Sequence, residues 1–246
     1  MQVAQQLTFG SGTPLLAQLL RTQPQEGKRD IEELYLQAVN NATQSIYIEN
    51  QYFRWPPLAE AIKKAAADQT GEGRDPGLHG SLHLFVITNA TSDSVGAGSV
   101  NTQRMLESLG RANTIPEVTK LRRIQQVKKD APPKPYPDLR DPVGRRELAF
   151  WQADLNHGSA NINTRSMQVD TELNIAHEWA SVTRDLRRRL WGLHTAGFGV
   201  QDGPGKAYKA WQEIIDDNKR LQNARDVPCA PIIEFFYDKA TLKDLD

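Results

Sequence analysis

Residues 158–174 read GSANINTRSMQVDTELN and hold the chain's densest set of groups able to handle an anion. Gly158, Ser159 and Asn161 form a Gly-Ser-x-Asn turn, which offers backbone amides, a hydroxyl and a carboxamide within four residues. An Asn-, Thr-, Arg- and Ser-rich loop follows, and then an alternating acidic stretch that contains Glu172. Phosphoryl oxygens need such fixed donors, because charge collects on them during transfer. A carboxylate close by can orient a neighbouring acid or base. Taken as residue types alone, Gly, Ser and Asn are also ordinary turn formers. Glu172 alternates with Leu173 and Ile175, as a solvent-facing strand residue would.

The elements that must position this turn follow from periodicity. Residues 1–28 read as irregular, apart from the short apolar run Pro14–Leu20. Asp30, with Glu33 three residues later, predicts a capping box opening a helix with Ile31, Leu34, Tyr35, Ala38 and Ala42 on one face. Ser45–Phe53 is β-branched and aromatic and predicts a strand. Pro56 and Pro57 stop it and open a helix over Leu58–Ala67. A Gly/Asp/Pro loop leads to a second strand, Leu82–Thr88, and a helix is expected over Asn101–Leu109. Residues 128–146 are rich in proline and charge and predict loop.

Beyond the turn, a helix over His177–His194 carries Trp179, Val182, Leu186, Leu190 and Leu193 along one stripe. A further helix, Lys206–Ala224, turns Tyr208, Trp211, Ile215 and Leu221 inward, and Ile232–Tyr237 reads as a last strand. Alternating helices and strands predict an α/β layered domain. Strands 46–53 and 82–88 are expected at its centre.

Composition narrows the function classes. The 30 Lys and Arg residues balance 30 Asp and Glu, so net charge does not direct the chain to nucleic acid, and no nucleic-acid partner is expected. The single cysteine, Cys229, excludes an internal disulfide and reads as a small buried residue beside Pro228. Trp151, Trp179, Trp191 and Trp211 read as core. Arg184, Arg187, Arg188 and Arg189 read as a solvated helix face, His177 and His194 as structural. No apolar run is long enough to span a bilayer, and MQVAQQLTFGSG lacks a signal peptide's order. The expected location is cytoplasmic, or outside the cell by a route that needs no signal peptide.

Two segments together resemble the phospholipase D superfamily: IYIENQYF at 46–53 and GSANINTRSMQVDTELNIAHE at 158–178. The intervening GAGSVNTQRMLESLGRA, 96–112, is similar to the bacterial branch that includes type VI secretion lipase effectors. The resemblance implies an α/β layered sandwich, a mixed sheet flanked by helices, as one half of a phospholipase D-type fold over residues 29–246, with two halves meeting at one active site. Each half of such enzymes carries His-x-Lys-x4-Asp-x6-Gly-Ser-x-Asn. One histidine attacks phosphorus; the other protonates the leaving alcohol and then activates water. A neutral imidazole is a competent nucleophile near pH 7, and a competent acid once charged. No metal or other cofactor is required. The implied substrate is a glycerophospholipid or another phosphodiester.

Matched residue by residue, Gly158, Ser159 and Asn161 fall on the phosphate-binding turn, with Asn161 the phosphoryl-oxygen donor. Glu172 falls on the acid that orients an active-site histidine, and Glu49 stands in a supporting position on the preceding strand. The front of the motif departs from the pattern. Its histidine position falls on Gly144, its lysine position on Arg146 and its aspartate position on Trp151. His157 abuts the turn but does not occupy the motif position. The stretch 124–156 is unlike the family while both flanks are like it, as a substituted segment or compensating frame shifts would produce. Translating the gene in its other two frames tests the latter: a His-x-Lys motif before GSAN is the expected sign.

The resemblance therefore implies a C-terminal phospholipase D half with little hydrolysis of its own, completed by a second half or a homodimer. The competing reading is a non-catalytic protein that binds phosphate groups or pairs with a full-length relative.

Overall fold

In a computed structural model, residues 16–88, 99–111 and 155–235 are described. Their elements run β1 (Gln18–Gln23), β2 (Lys28–Arg29), α1 (Asp30–Asn41), β3 (Ser45–Glu49), α2 (Pro56–Gly71), α3 (Pro76–His79), β4 (His83–Ile87), α4 (Ser99–Ser108), β5 (Leu155–Gly158), α5 (Thr164–Gln168), β6 (Glu172–His177), α6 (Ala180–Thr195) and α7 (Pro204–Ala224). The architecture is α/β, with sheets flanked by helices.

One sheet has the order β2-β1-β6-β5, all antiparallel, with Leu19 opposite Ile175 and Gly158 opposite Asn174. The other is a parallel ladder of β3 and β4, Ser45 opposite His83 through Glu49 opposite Ile87. Parallel neighbours need a long crossover, and α2 and α3 provide it. The two prolines that open α2 sit where a missing N–H costs nothing. Leu58, Ala59, Ile62, Ala65 and Ala66 then turn one face of α2 inward.

The core has two main parts. One gathers Ile31, Trp55, Leu58, Ile62, Met105, Ile162 and Met167, so the segment after the Gly-Ser-x-Asn turn is anchored in apolar packing. The other surrounds the β3–β4 ladder with Phe85, Trp191, Trp211 and Ile214.

His83 opens β4 inside this second region. It is 4% exposed, and its ring stacks on Tyr208 at 5.0 Å between centroids. Its Nδ1 has no hydrogen-bond partner among the described residues. Burial, helped by the nearby Arg74 charge, lowers its pKa from 6.5 to about 4. The folded chain therefore resists a proton that the unfolded chain accepts. This contribution is fully present above about pH 6.5 and is lost as pH falls towards 4, by about 3 kcal/mol. Urea unfolding at pH 7 and pH 4.5 should show that loss in the wild type, and His83→Phe should flatten it.

The structure corrects several sequence expectations. The segment read as irregular supplies β1 and β2, and β1 pairs with β6. Its signal is hidden because Leu19 faces out while Leu20 is buried beside polar neighbours. Asp30 is not a cap: Arg29 is the N-cap residue, and the Asp30 carboxylate accepts from Arg21 N–H at 3.3 Å. Strands β3 and β4 are central only to each other, as a two-stranded ladder among the described residues. His177 ends β6 rather than opening a helix.

On α6 the inward stripe is Arg187, Trp191 and Thr195, while Trp179 and Leu193 are 46% and 69% exposed. Hydropathy cannot foresee a buried arginine, and Arg187 is drawn in by Asp202 and the Trp191 ring. On α7 the buried residues are Ala207, Trp211, Ile214 and Asn218. Residues 232–235 form no strand: Ile232 N–H goes to His194 O, and Ile232 O accepts from the Asn218 amide. Cys229 is exposed, not buried. The expected loop 128–146, Gly144, Arg146 and Trp151 lie outside the described residues. No described helix is long and apolar enough to cross a membrane.

Candidate functional site

The turn begins where β5 ends. Gly158 lies so close to β6 that a Cβ there would stand 2.2 Å from Asn174 Oδ1 and 2.3 Å from Leu173 O. Its role is close backbone approach, which any side chain would prevent. Ser159 continues the contact: its N–H donates to Leu173 O at 3.1 Å, and its Oγ accepts from Leu173 N–H at 3.1 Å. The Ser159 hydroxyl donates to Glu172, and Ser166 Oγ donates to the other carboxylate oxygen of Glu172 at 2.6 Å. Glu172 therefore joins β6 to the turn and to α5 by ordering two hydroxyls, whereas the resemblance assigns it a histidine.

The next residues are pinned by three asparagines. Asn174, 2% exposed on β6, accepts from Ala160 N–H at 3.2 Å. Asn50, just past β3, accepts from Ile162 N–H at 3.0 Å and donates to Ala160 O at 3.3 Å. Asn163 accepts from Ser166 N–H at 2.8 Å and caps α5. Among these polar side chains the Asn161 carboxamide is the exception. It is partly exposed and has no hydrogen-bond partner among the described residues.

The segment ENQYFR runs alongside. Phe53 and Ile162 form a parallel bridge, and Arg54 N–H donates to Ile162 O at 3.0 Å. With Phe53 and Ile162 both buried, alternation puts Tyr52 and Arg54 on the opposite side of this strand. The Arg54 guanidinium stacks over the Tyr52 ring at 4.1 Å. The two segments that carried the sequence resemblance, over a hundred residues apart, thus meet at one place.

Glu49 itself does not touch the turn. It accepts from the Tyr47 hydroxyl at 2.5 Å, and His194 Nε2 lies 3.1 Å from its other oxygen. Burial, with the hydrogen bond to Glu49 and its charge, raises the Tyr47 pKa far above the usual phenol value. Its chain neighbour Asn50 makes the contacts to the turn instead. Arg187 and Arg188 both bind Asp202 and clamp α6 to the loop before α7. His157 sits in β5 opposite Ile175. Among the described residues no group of three His, Cys, Asp or Glu side chains is placed to hold a metal ion.

Sequence reasoning singled out Gly158, Ser159, Asn161 and Glu172, and the fold brings them together. It passed over Asn50, Asn174 and Ser166. The only signal for Asn50 was its place within ENQYF.

No family model matches the chain, and no curated protein does. Among solved structures, a phospholipase D family member, Nuc from Salmonella typhimurium, is similar over 70% of this chain and 90% of its own, at 13% identity and a TM-score of 0.38.

Proposed function

We propose that this chain is a phospholipase D-type phosphodiester-binding domain whose turn at 158–162 holds a phosphoryl oxygen through the Asn161 amide. The observation that carries this is a division of labour within the turn. Gly158, Ser159, Asn163, Glu172 and Asn174 all have internal roles, while the Asn161 donor is uncommitted. A rigid frame around one available carboxamide suits the binding of an anion, because the donor needs no reorganisation.

The ligand class is a phosphodiester, and a glycerophospholipid head group is the proposed form. The stretch 96–112 extends the proposal to the bacterial branch of secreted lipase effectors. Hydrolysis through a phosphohistidine needs an imidazole at the motif position, and the sequence has Gly144 there with Arg146 for the lysine. Arginine keeps the charge, but glycine offers no nucleophile. Turnover by this polypeptide alone is therefore expected to be very low. A second phospholipase D half, or a second copy of this chain, is the proposed partner that would complete a two-histidine site.

Titration with glycerophosphocholine, a water-soluble phosphodiester, tests the reading. Saturable binding is expected. Asn161→Ala should weaken it about tenfold, about 1.4 kcal/mol, with an unchanged melting temperature, because no described protein group loses a partner. Turnover of phosphatidylcholine by the purified chain, lost on Asn161→Ala, would contradict the expectation of low activity.

A further inference from the structure

We infer that Asn50 is the positioning residue of the site: it acts on the ligand only through Asn161, by latching the backbone on both sides of it. This rests on the reading of Asn161 as the phosphoryl donor. Ala160 and Ile162, the two neighbours of Asn161, are both buried, so their peptide groups need protein partners. Asn174 takes Ala160 N–H from the four-stranded sheet. Asn50 takes the other two groups nearest Asn161, accepting from Ile162 N–H at 3.0 Å and donating to Ala160 O at 3.3 Å. Arg54 N–H then closes Ile162 O. With the flanking groups tied on both sides, the Cα–Cβ direction of Asn161 is fixed while its amide stays uncommitted.

The residue type is specific. Oδ1 of Asn50 also accepts from Tyr52 N–H at 3.1 Å, which folds the chain back on itself after β3. One side chain must therefore accept twice and donate once, within reach of the segment after β3 and the segment after β5. Asparagine does this. Aspartate keeps the acceptor but loses the donor and sets negative charge against Ala160 O. Alanine keeps neither.

Amide hydrogen exchange on the full chain, read together with glycerophosphocholine titration, tests the latch. In Asn50→Ala, exchange at Tyr52 and Ile162 should accelerate at least tenfold relative to Ile62, and affinity should fall about tenfold although Asn161 is intact. Asn50→Asp should restore protection at both amides and leave binding weak. Unaltered exchange at Ile162 in folded Asn50→Ala would overturn the latch. Should Asn50→Ala fail to fold, Asn50→Asp decides: weakened binding with both amides protected supports it, and wild-type binding overturns it. If the wild-type chain binds no phosphodiester, the phosphate reading falls. The exchange rates and the Asn161 side-chain amide resonance, expected to shift in Asn50→Ala, still judge the latch.

Discussion

Gly158→Ala is expected to lower stability by about 3 kcal/mol and the unfolding midpoint by roughly 10 °C. The added methyl would meet Leu173 O at 2.3 Å and Asn174 Cα at 2.5 Å, both on the backbone of β6. A flexible side chain could swing away, but a paired strand cannot. Relief requires β5 and β6 to separate, which also strains the Ser159–Leu173 contacts and the Asn174 bond to Ala160. Gly71→Ala is the control. Gly71 ends α2 with nothing within 4 Å of a built Cβ, so alanine there should be neutral or slightly stabilising. Thermal unfolding of the two variants separates glycine needed for close approach from glycine that is merely present.

Trp191→Ala is expected to cost about 4 kcal/mol, and Trp191→Phe less than about 1.5 kcal/mol. The indole is 1% exposed and packs against Phe85 at 4.6 Å, Trp211 at 5.3 Å and Tyr47 at 5.8 Å between centroids. Alanine would open a large cavity in the cluster that joins α6 and α7 to the β3–β4 ladder. It would also remove the face over which the Arg187 guanidinium sits at 4.5 Å. That cation is buried, and desolvation lowers its pKa against the support of Asp202. Phenylalanine keeps an aromatic face and most of the volume. It also deletes an indole N–H that is buried without a hydrogen-bond partner among the described residues. Denaturant unfolding of the pair measures how much of the effect is volume.

The parts legible in the sequence were those that depend on neighbours in the chain. SIYIE and HLFVI announce β3 and β4 through β-branched and aromatic residues, and the paired prolines mark the start of α2. The Gly-Ser-x-Asn turn was visible as chemistry before it was visible as structure. The parts that were hidden depend on distant partners. β1 lacks a clean alternation, and its place is set by pairing with β6, about 150 residues later. Arg187 reads as surface until Asp202 and Trp191 are placed beside it. Asn50 reads as a turn former, and its bonds to residues 160 and 162 exist only once the two sheets meet. Cys229 beside Pro228 suggested a core position, yet its N–H is held by Asn218 while the residue stays exposed.

One uncommitted amide, Asn161, in an otherwise committed turn, is proposed to bind a phosphodiester. The most direct test is calorimetric titration of the full chain with glycerophosphocholine, wild type against Asn161→Ala, with melting temperatures measured on the same samples. Saturable wild-type binding, about tenfold weaker binding in the variant and equal melting temperatures are expected. Equal affinity in the two proteins, or no binding by the wild type, would contradict it.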